Sequence, residues 1–234
     1  MQTLYIFAEI AGGAADIKQY PWRMRQHIEH LRIEVLLVRR RERIFDVEAG
    51  LPDVFSLSGC GRNWRRGGWL GGKFEDFQLE NEGIARGSVD TVVMADVLEH
   101  MYDPWHVMVN LKPYLAPDAQ LILSIPNTRH LGLMQGLLDG GSWTYAEKGL
   151  LDITHIRFFT LKEIANFLAQ TGYRMEFVNH FLDAGLAPLY EKNKSNPDIN
   201  IRLGRIALEK VTPRELAELC TWQFFIRARA AVPA

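Results

Sequence analysis

No apolar run in these 234 residues approaches the roughly 20 that a bilayer-spanning helix needs. Met1 to Ile10 also lacks the basic residues that precede a signal-peptide core. The expectation is a cytoplasmic protein without a membrane span. Cysteine is scarce: Cys60 and Cys220 are the only two, too few for a disulfide framework or a thiolate zinc cluster. An excess of charge is missing as well, since the formal net charge is -1, which argues against a nucleic-acid partner. Locally, seven arginines face three glutamates between Arg23 and Arg43. That run is short and flanks an apolar strand, so it is read as solvated charge. There is no internal repeat. With 47% hydrophobic residues, the length fits a single domain over residues 1–234 with a sizeable core.

The second half alternates strand and helix signals. Thr91-Val-Val-Met94 is a β-branched apolar run bounded by Asp90 and Asp96, as expected of a strand buried on both faces. Asp103-Pro104 then provides an N-cap and a first-turn proline for a helix reaching about Tyr114. Pro117-Asp118 turns the chain into a second buried strand, Leu121 to Ile125, ended by Pro126-Asn127. Strand, helix and strand with short connections make a parallel crossover unit.

Gly136 to Gly149 is irregular and rich in glycine and aromatics. Thr160 and Glu163 form a capping-box pair for a helix carrying Leu161, Ile164, Ala165 and Leu168 at helical spacing, with Gly172 where it should stop. A strand is expected at Arg174 to Val178. Tyr190 to Asn200 is polar and is read as a mobile excursion. Thr212 and Glu215 start a last helix, and Trp222 to Ala228 alternates as a final strand.

The first half is less regular. Leu4 to Ala8 and Ile33 to Val38 have strand character, with a helix expected over Met24 to Leu31. Gly59 to Gly72 packs six glycines, three arginines and two tryptophans into fourteen positions with no period, and is read as a loop or an anomaly.

The run Ser88-Val-Asp90-Thr-Val-Val-Met-Ala-Asp96-Val-Leu-Glu99-His100, then Asp103-Pro104, then Leu121 to Asn127, resembles the strand-four to strand-five region of class I S-adenosylmethionine-dependent methyltransferases. It is most similar to the ubiquinone and methionine-biosynthesis type. Asp152-Ile-Thr-His155-Ile-Arg157-Phe-Phe-Thr160 resembles a downstream block of that group, and Thr221 to Arg227 resembles its last strand. The resemblance implies an α/β fold with a doubly wound, mostly parallel sheet and an antiparallel last strand. It implies S-adenosylmethionine as cofactor, and the acceptor expected is a small molecule or a lipid or glycan precursor ahead of a nucleic acid.

Ligands of open α/β sheets sit beyond the carboxyl ends of the strands, where strand order reverses. By resemblance this makes Ala95, Asp96 and Val97 cofactor neighbours. The glycine-rich turn after the first strand has two candidates. Glu9-Ile-Ala-Gly12-Gly13 follows a strand, with alanines in place of two expected glycines. Ser58-Gly59-Cys60-Gly61 is closer in letters, but 29 positions separate Gly61 from Asp90, too few for the elements that must intervene. The Glu9 register is preferred, with Glu9, Gly12 and Gly13 as cofactor residues. Where that register expects an acid for the ribose after the second strand, Arg39 and Arg40 stand. Near the adenine, Lys73 takes the acid's usual place, leaving Glu75 or Asp76 to serve.

Methyl transfer from a sulfonium needs alignment above all, and a base only when the acceptor arrives protonated. His100 and His155 are the catalytic candidates. Asn127 and Arg157 are expected to face the acceptor, and Trp143, Tyr145 and Trp105 either line a lid or pack in the core. Asp96, Glu99, His100 and His155 resemble the metal site of small-RNA terminal methyltransferases, which implies a divalent ion on mixed carboxylate and imidazole ligands. The alternative function is a non-catalytic interaction module that has lost its cofactor.

Overall fold

The computed structural model of the chain describes residues 2–10, 31–39, 69–72, 79–82 and 84–231. The apolar run at Thr91 to Met94 lies within strand β4 (Val89–Ala95), whose Val92, Val93 and Met94 are all buried. Asp103 caps the next helix, α1 (Pro104–Leu111), by accepting a 3.0 Å hydrogen bond from the His106 amide. The chain then returns as β5 (Leu115–Pro126), parallel to β4 with Met94 opposite Leu123. This is the expected crossover unit.

Helix α2 (Leu131–Leu138) and an irregular loop lead to α3 (Leu161–Gln170). Only half of the capping box forms at α3. Thr160 accepts from the Glu163 amide, while the Glu163 carboxylate accepts from Asn166. Gly172, at φ +73°, turns the chain into β6 (Tyr173–Leu182); a residue with a Cβ would be strained there. The last strand, β9 (Thr221–Ala230), inserts between β5 and β6, antiparallel to both.

Strands β1 (Gln2–Ile10), β2 (Leu31–Arg39) and β3 (Trp69–Gly72) complete a seven-stranded sheet in the order β3-β2-β1-β4-β5-β9-β6. Strand β1 runs parallel to β4. The pairings give five strands of one direction, with β9 antiparallel as expected. Strand β2 is a second reversed strand, antiparallel to both β1 and β3. Its reversal corrects one expectation: Arg39 pairs with Gln2, at the end of the sheet opposite the carboxyl ends of β1 and β4. Arg39 is therefore not at the ribose position. Glu9 lies inside β1, one residue before its end. Gly72 closes β3 level with Ile33, and Ile33 pairs with Ala8, so β3 ends at the site end of the sheet. Gly12, Gly13, Glu75, Asp76, Arg40, the Ser58-to-Gly61 alternative and the helix expected before Leu31 lie outside the described residues.

Two apolar clusters organise the rest. The larger joins Val92, Met94, Leu121, Leu123, Phe224 and Ile226 of the sheet to Val107, Met108 and Leu111 of α1 and Ile164, Phe167 and Leu168 of α3. Trp105 packs edge-on against Phe167 and donates to Gln170, which resolves its role as helix packing.

The smaller cluster overturns the reading of Tyr190 to Asn200 as an excursion. This stretch belongs to α4 (Ala187–Asn193), followed by the hairpin of β7 (Ile199–Leu203) and β8 (Ile206–Val211), and then α5 (Pro213–Cys220). Ile199, Ile201, Val211, Leu216 and Leu219 bury one face with Leu131, while Leu189 and Tyr190 pack on its edge. Apolar residues spaced among lysines and asparagines carried that core too thinly for periodicity to reveal it. The Thr212 and Glu215 capping box at α5 forms in full.

Truncating a large, fully buried core residue costs the lost transfer energy plus a cavity. Phe224 is fully buried. Phe224→Ala is expected to destabilise the protein by about 3–5 kcal/mol, read as a lowered urea midpoint at an unchanged m-value.

Candidate active site

The sheet reverses its order between β1 and β4, where Phe7 pairs with Ala95, and this is the crevice where an open α/β sheet presents its ligand site. Ala95 closes β4 there. Asp96 follows in the left-handed region at φ +54°, a conformation uncommon for any residue but glycine, though aspartate tolerates it best. Three contacts hold it. Its amide donates to the Ser124 Oγ at 3.0 Å, the Ser124 hydroxyl donates to Oδ1 at 3.0 Å, and the Gln223 amide also donates to Oδ1. Strands β4, β5 and β9 thus meet on one carboxylate oxygen. Asp96 as a residue is open to solvent, yet protein crowds its carboxyl enough to raise its pKa, partly offset by those two hydrogen bonds. Val97 is fully buried, so its side chain serves the core and only its backbone can border a cofactor.

The left-handed turn feeds a 3-10 turn, Leu98–His100, whose three residues are all buried. Across from it, the loop before α3 is docked by its backbone. The Ile156 and Arg157 amides both donate to the Glu99 carbonyl at 2.9 Å, and the Arg157 guanidinium donates to the Tyr102 carbonyl and lies over the Tyr102 ring. Within the loop, Asp152 accepts from the Thr154 amide at 2.8 Å and from its hydroxyl at 2.6 Å. The docking brings His155 against His100, with ring centroids 4.8 Å apart.

The proton positions follow from these contacts. The Thr154 hydroxyl hydrogen is given to Asp152, so at 3.0 Å from His100 Nδ1 its oxygen can only accept; the Thr154 carbonyl, 3.2 Å from the same nitrogen, can also only accept. His100 Nδ1 therefore carries the proton. By the same logic His155 Nδ1 donates to the Leu150 carbonyl at 3.3 Å. Both neutral rings then keep a lone pair on Nε2. Desolvation, with the His155 ring beside it, holds the His100 pKa down to about 4; burial lowers that of His155. Glu99 is 1% exposed, and neither carboxylate oxygen has a hydrogen-bond partner among the described residues. Burial, reinforced by Asp96 and Asp152, pushes its pKa well up.

Glu99, His100 and His155 offer ligand atoms within 4.8 Å of one another. Asp96 was expected among them and stands outside this group, because its left-handed turn directs the carboxylate to Ser124 and Gln223. Two further expectations change. Asn127 is fully buried: its amide nitrogen donates to the Glu218 and Thr221 carbonyls, and its oxygen accepts from the Arg129 amide. It ties the end of β5 to α5 instead of facing an acceptor. Arg157 is likewise fastened to the Tyr102 turn. Trp143 packs against Phe158 and Tyr145 is exposed.

Ser124, Gln223, Thr154 and Asp152 were not anticipated as site residues. A lone serine inside the apolar run of β5 and the Asp-x-Thr spacing were legible signals; nothing local marks Gln223.

Fold and site together define a class: a doubly wound α/β domain of methyltransferase topology, with a polar, strained turn at its switch point. The methyltransferase domain family matches residues 36–177, well over half of the chain, and the chain belongs to that family. No curated protein matches the sequence. Among solved structures, the chain is similar to a methyltransferase of Thermotoga maritima described as an S-adenosylmethionine-dependent enzyme, "possible histamine N-methyltransferase". The identity there is 13%, with 67% of this chain and 60% of that one covered, at a TM-score of 0.40. An S-adenosylmethionine-dependent methyltransferase of Archaeoglobus fulgidus is also 13% identical, with coverages of 64% and 63% and a TM-score of 0.38. The 1,6-didemethyltoxoflavin-N1-methyltransferase of Burkholderia thailandensis, solved with S-adenosylhomocysteine, is 10% identical, with coverages of 68% and 48% and a TM-score of 0.35. The chain thus spans about 60% of the length of the first of these.

A histidine whose folded pKa is depressed refuses a proton that the unfolded chain accepts, so its contribution to stability falls as pH drops from about 6.5 to about 4 and is level below. Glu99 acts with the opposite sign above its ordinary pKa, since the folded state keeps its proton longer. In chelator-treated protein the His100 ring, followed by proton NMR, is expected to titrate near pH 4. Its share of the acid-side loss is at most about 3 kcal/mol. A midpoint near 6.5 would mean that the pair is open to water.

Proposed function

We propose that this chain transfers the methyl group of S-adenosylmethionine to a small-molecule acceptor at the carboxyl ends of β1, β4 and β5. The observation that carries the reading is the placement of Ala95, Asp96 and Val97 at the point where strand order reverses, with Asp96 held in a strained conformation by two other strands. Strain kept at such a position is characteristic of ligand sites. The cofactor supplies an activated methyl on sulfur; the chain has to orient it and the acceptor. One oxygen of Asp96 is anchored, and the other accepts no hydrogen bond from the described residues, leaving it for an N–H or O–H of a bound molecule. Where an acceptor brings a proton, the free Nε2 atoms of His100 and His155 are the bases at hand. The near-zero net charge favours a small acceptor over a nucleic acid.

We also propose that Glu99, His100 and His155 hold a divalent ion. A fully buried carboxylate without a hydrogen-bond partner among the described residues, beside two imidazole lone pairs, is a costly arrangement that a cation would relieve. With the ion bound, the two histidines are ligands, and Asp96 is the group left to meet the acceptor.

The second reading is an interaction module without cofactor. It is favoured by the reversed β2, whose carboxyl end, where the ribose acid is expected, lies at the opposite end of the sheet. Calorimetric titration with S-adenosylhomocysteine decides between them. Saturable one-to-one binding, weakened about tenfold or more by Asp96→Ala, is expected, and no heat at millimolar ligand would establish the second reading.

A further inference from the structure

The ion proposed for Glu99, His100 and His155 has a chemical class that the geometry selects. We infer that the site is built for a zinc-class transition ion bound by one Glu99 oxygen and the Nε2 atoms of His100 and His155, that Asp96 is not a ligand, and that magnesium is excluded. The inference rests on the proposal that an ion binds here at all.

Three observations carry it. First, both imidazoles are turned by their Nδ1 contacts, His100 to the Thr154 carbonyl and hydroxyl and His155 to the Leu150 carbonyl. A backbone or carboxylate partner on the far nitrogen is the usual outer support of a metal-ligating histidine, setting both tautomer and ring direction. Thr154 is itself held by Asp152, so the support extends a further step outward. Neither Nε2 has a hydrogen-bond partner among the described residues. Second, three ligand atoms lying within 4.8 Å of one another share a point about 2.8 Å from each. Bonds of about 2.0–2.2 Å then need shifts of under about 1 Å. Third, the donor set is two nitrogens and one carboxylate. Magnesium requires near-octahedral oxygen coordination and retains its waters, whereas imidazole suits zinc, cobalt and their neighbours. Asp96, the carboxylate that would make the site richer in oxygen, stands outside this group of ligand atoms.

Such an ion adds to the links between the turn after β4 and the loop before α3, which already meet through the Glu99 carbonyl, the Arg157 contact and the His100 hydrogen bonds to Thr154. Chelator-stripped full-length protein is titrated separately with Zn2+, Co2+, Mn2+ and Mg2+ by calorimetry. The Co2+ form is examined by visible absorption. The expected result is one Zn2+ or Co2+ per chain, at least about a hundredfold tighter than Mg2+, with the intense d–d bands of a four- or five-coordinate cobalt site. Glu99→Gln and His155→Gln should each weaken Zn2+ binding about tenfold or more, while Asp96→Asn leaves it within about threefold. Because burial makes Glu99→Gln and His155→Gln prone to misfold, X-ray absorption of zinc-loaded wild-type protein provides a measurement that needs no variant. Two imidazoles at about 2.0–2.1 Å are expected. Magnesium binding as tight as zinc, or Asp96→Asn weakening zinc as much as Glu99→Gln, would overturn the inferred class or ligand set and leave a divalent site standing. No binding of any ion would overturn both the inference and the reading beneath it. Zinc binding indifferent to folded Glu99→Gln and His155→Gln, or a zinc environment without two imidazoles, would move the ion elsewhere and overturn the inference.

Discussion

The site depends on one carbonyl. The Glu99 oxygen takes both the Ile156 and the Arg157 amide, and through that doubled contact a loop without regular structure is seated against the end of β4. Backbone hydrogen bonds are each of modest net worth, but these two are made by consecutive residues and fix the loop's direction as well as its distance. The meeting of His155 with His100, the tautomers set by Thr154 and Leu150, and the closure over the Glu99 carboxylate all follow from the loop lying where that carbonyl puts it.

A second constraint operates at the same strand end. Asp96 holds a backbone conformation it would not choose alone, and three strands contribute to keeping it there. One turn apart, the Asp96 residue is open to solvent with its carboxylate on Ser124 and Gln223, while Glu99 and His100 are buried.

What the sequence disclosed tracks the range of the interactions concerned. Strands β4, β5 and β9 and helices α1, α3 and α5 were legible because each is specified by residues near one another in the chain: β-branched runs, Asp103-Pro104, Thr212 with Glu215. The direction of β2 was not, since pairing register and orientation are set between strands. The core beneath α4 and the β7–β8 hairpin escaped because its apolar residues come from six elements, each adding one to three. His100 and His155 could be singled out by type and expected to meet. That Asp96 would leave their group depended on Gln223, a residue 127 positions away with nothing in its surroundings to mark it.

The position of β9 bears on how the protein comes into being. It occupies the slot between β5 and β6, and its residues follow those of every other strand described. While the chain is emerging from the ribosome, β5 and β6 have no partner on their facing edges, and the larger core lacks Phe224 and Ile226. Such edges are templates for pairing with other chains. Completion of the sheet awaits residues 221–230, so during synthesis this fold has most need of a chaperone after β6 has appeared and before β9 has followed.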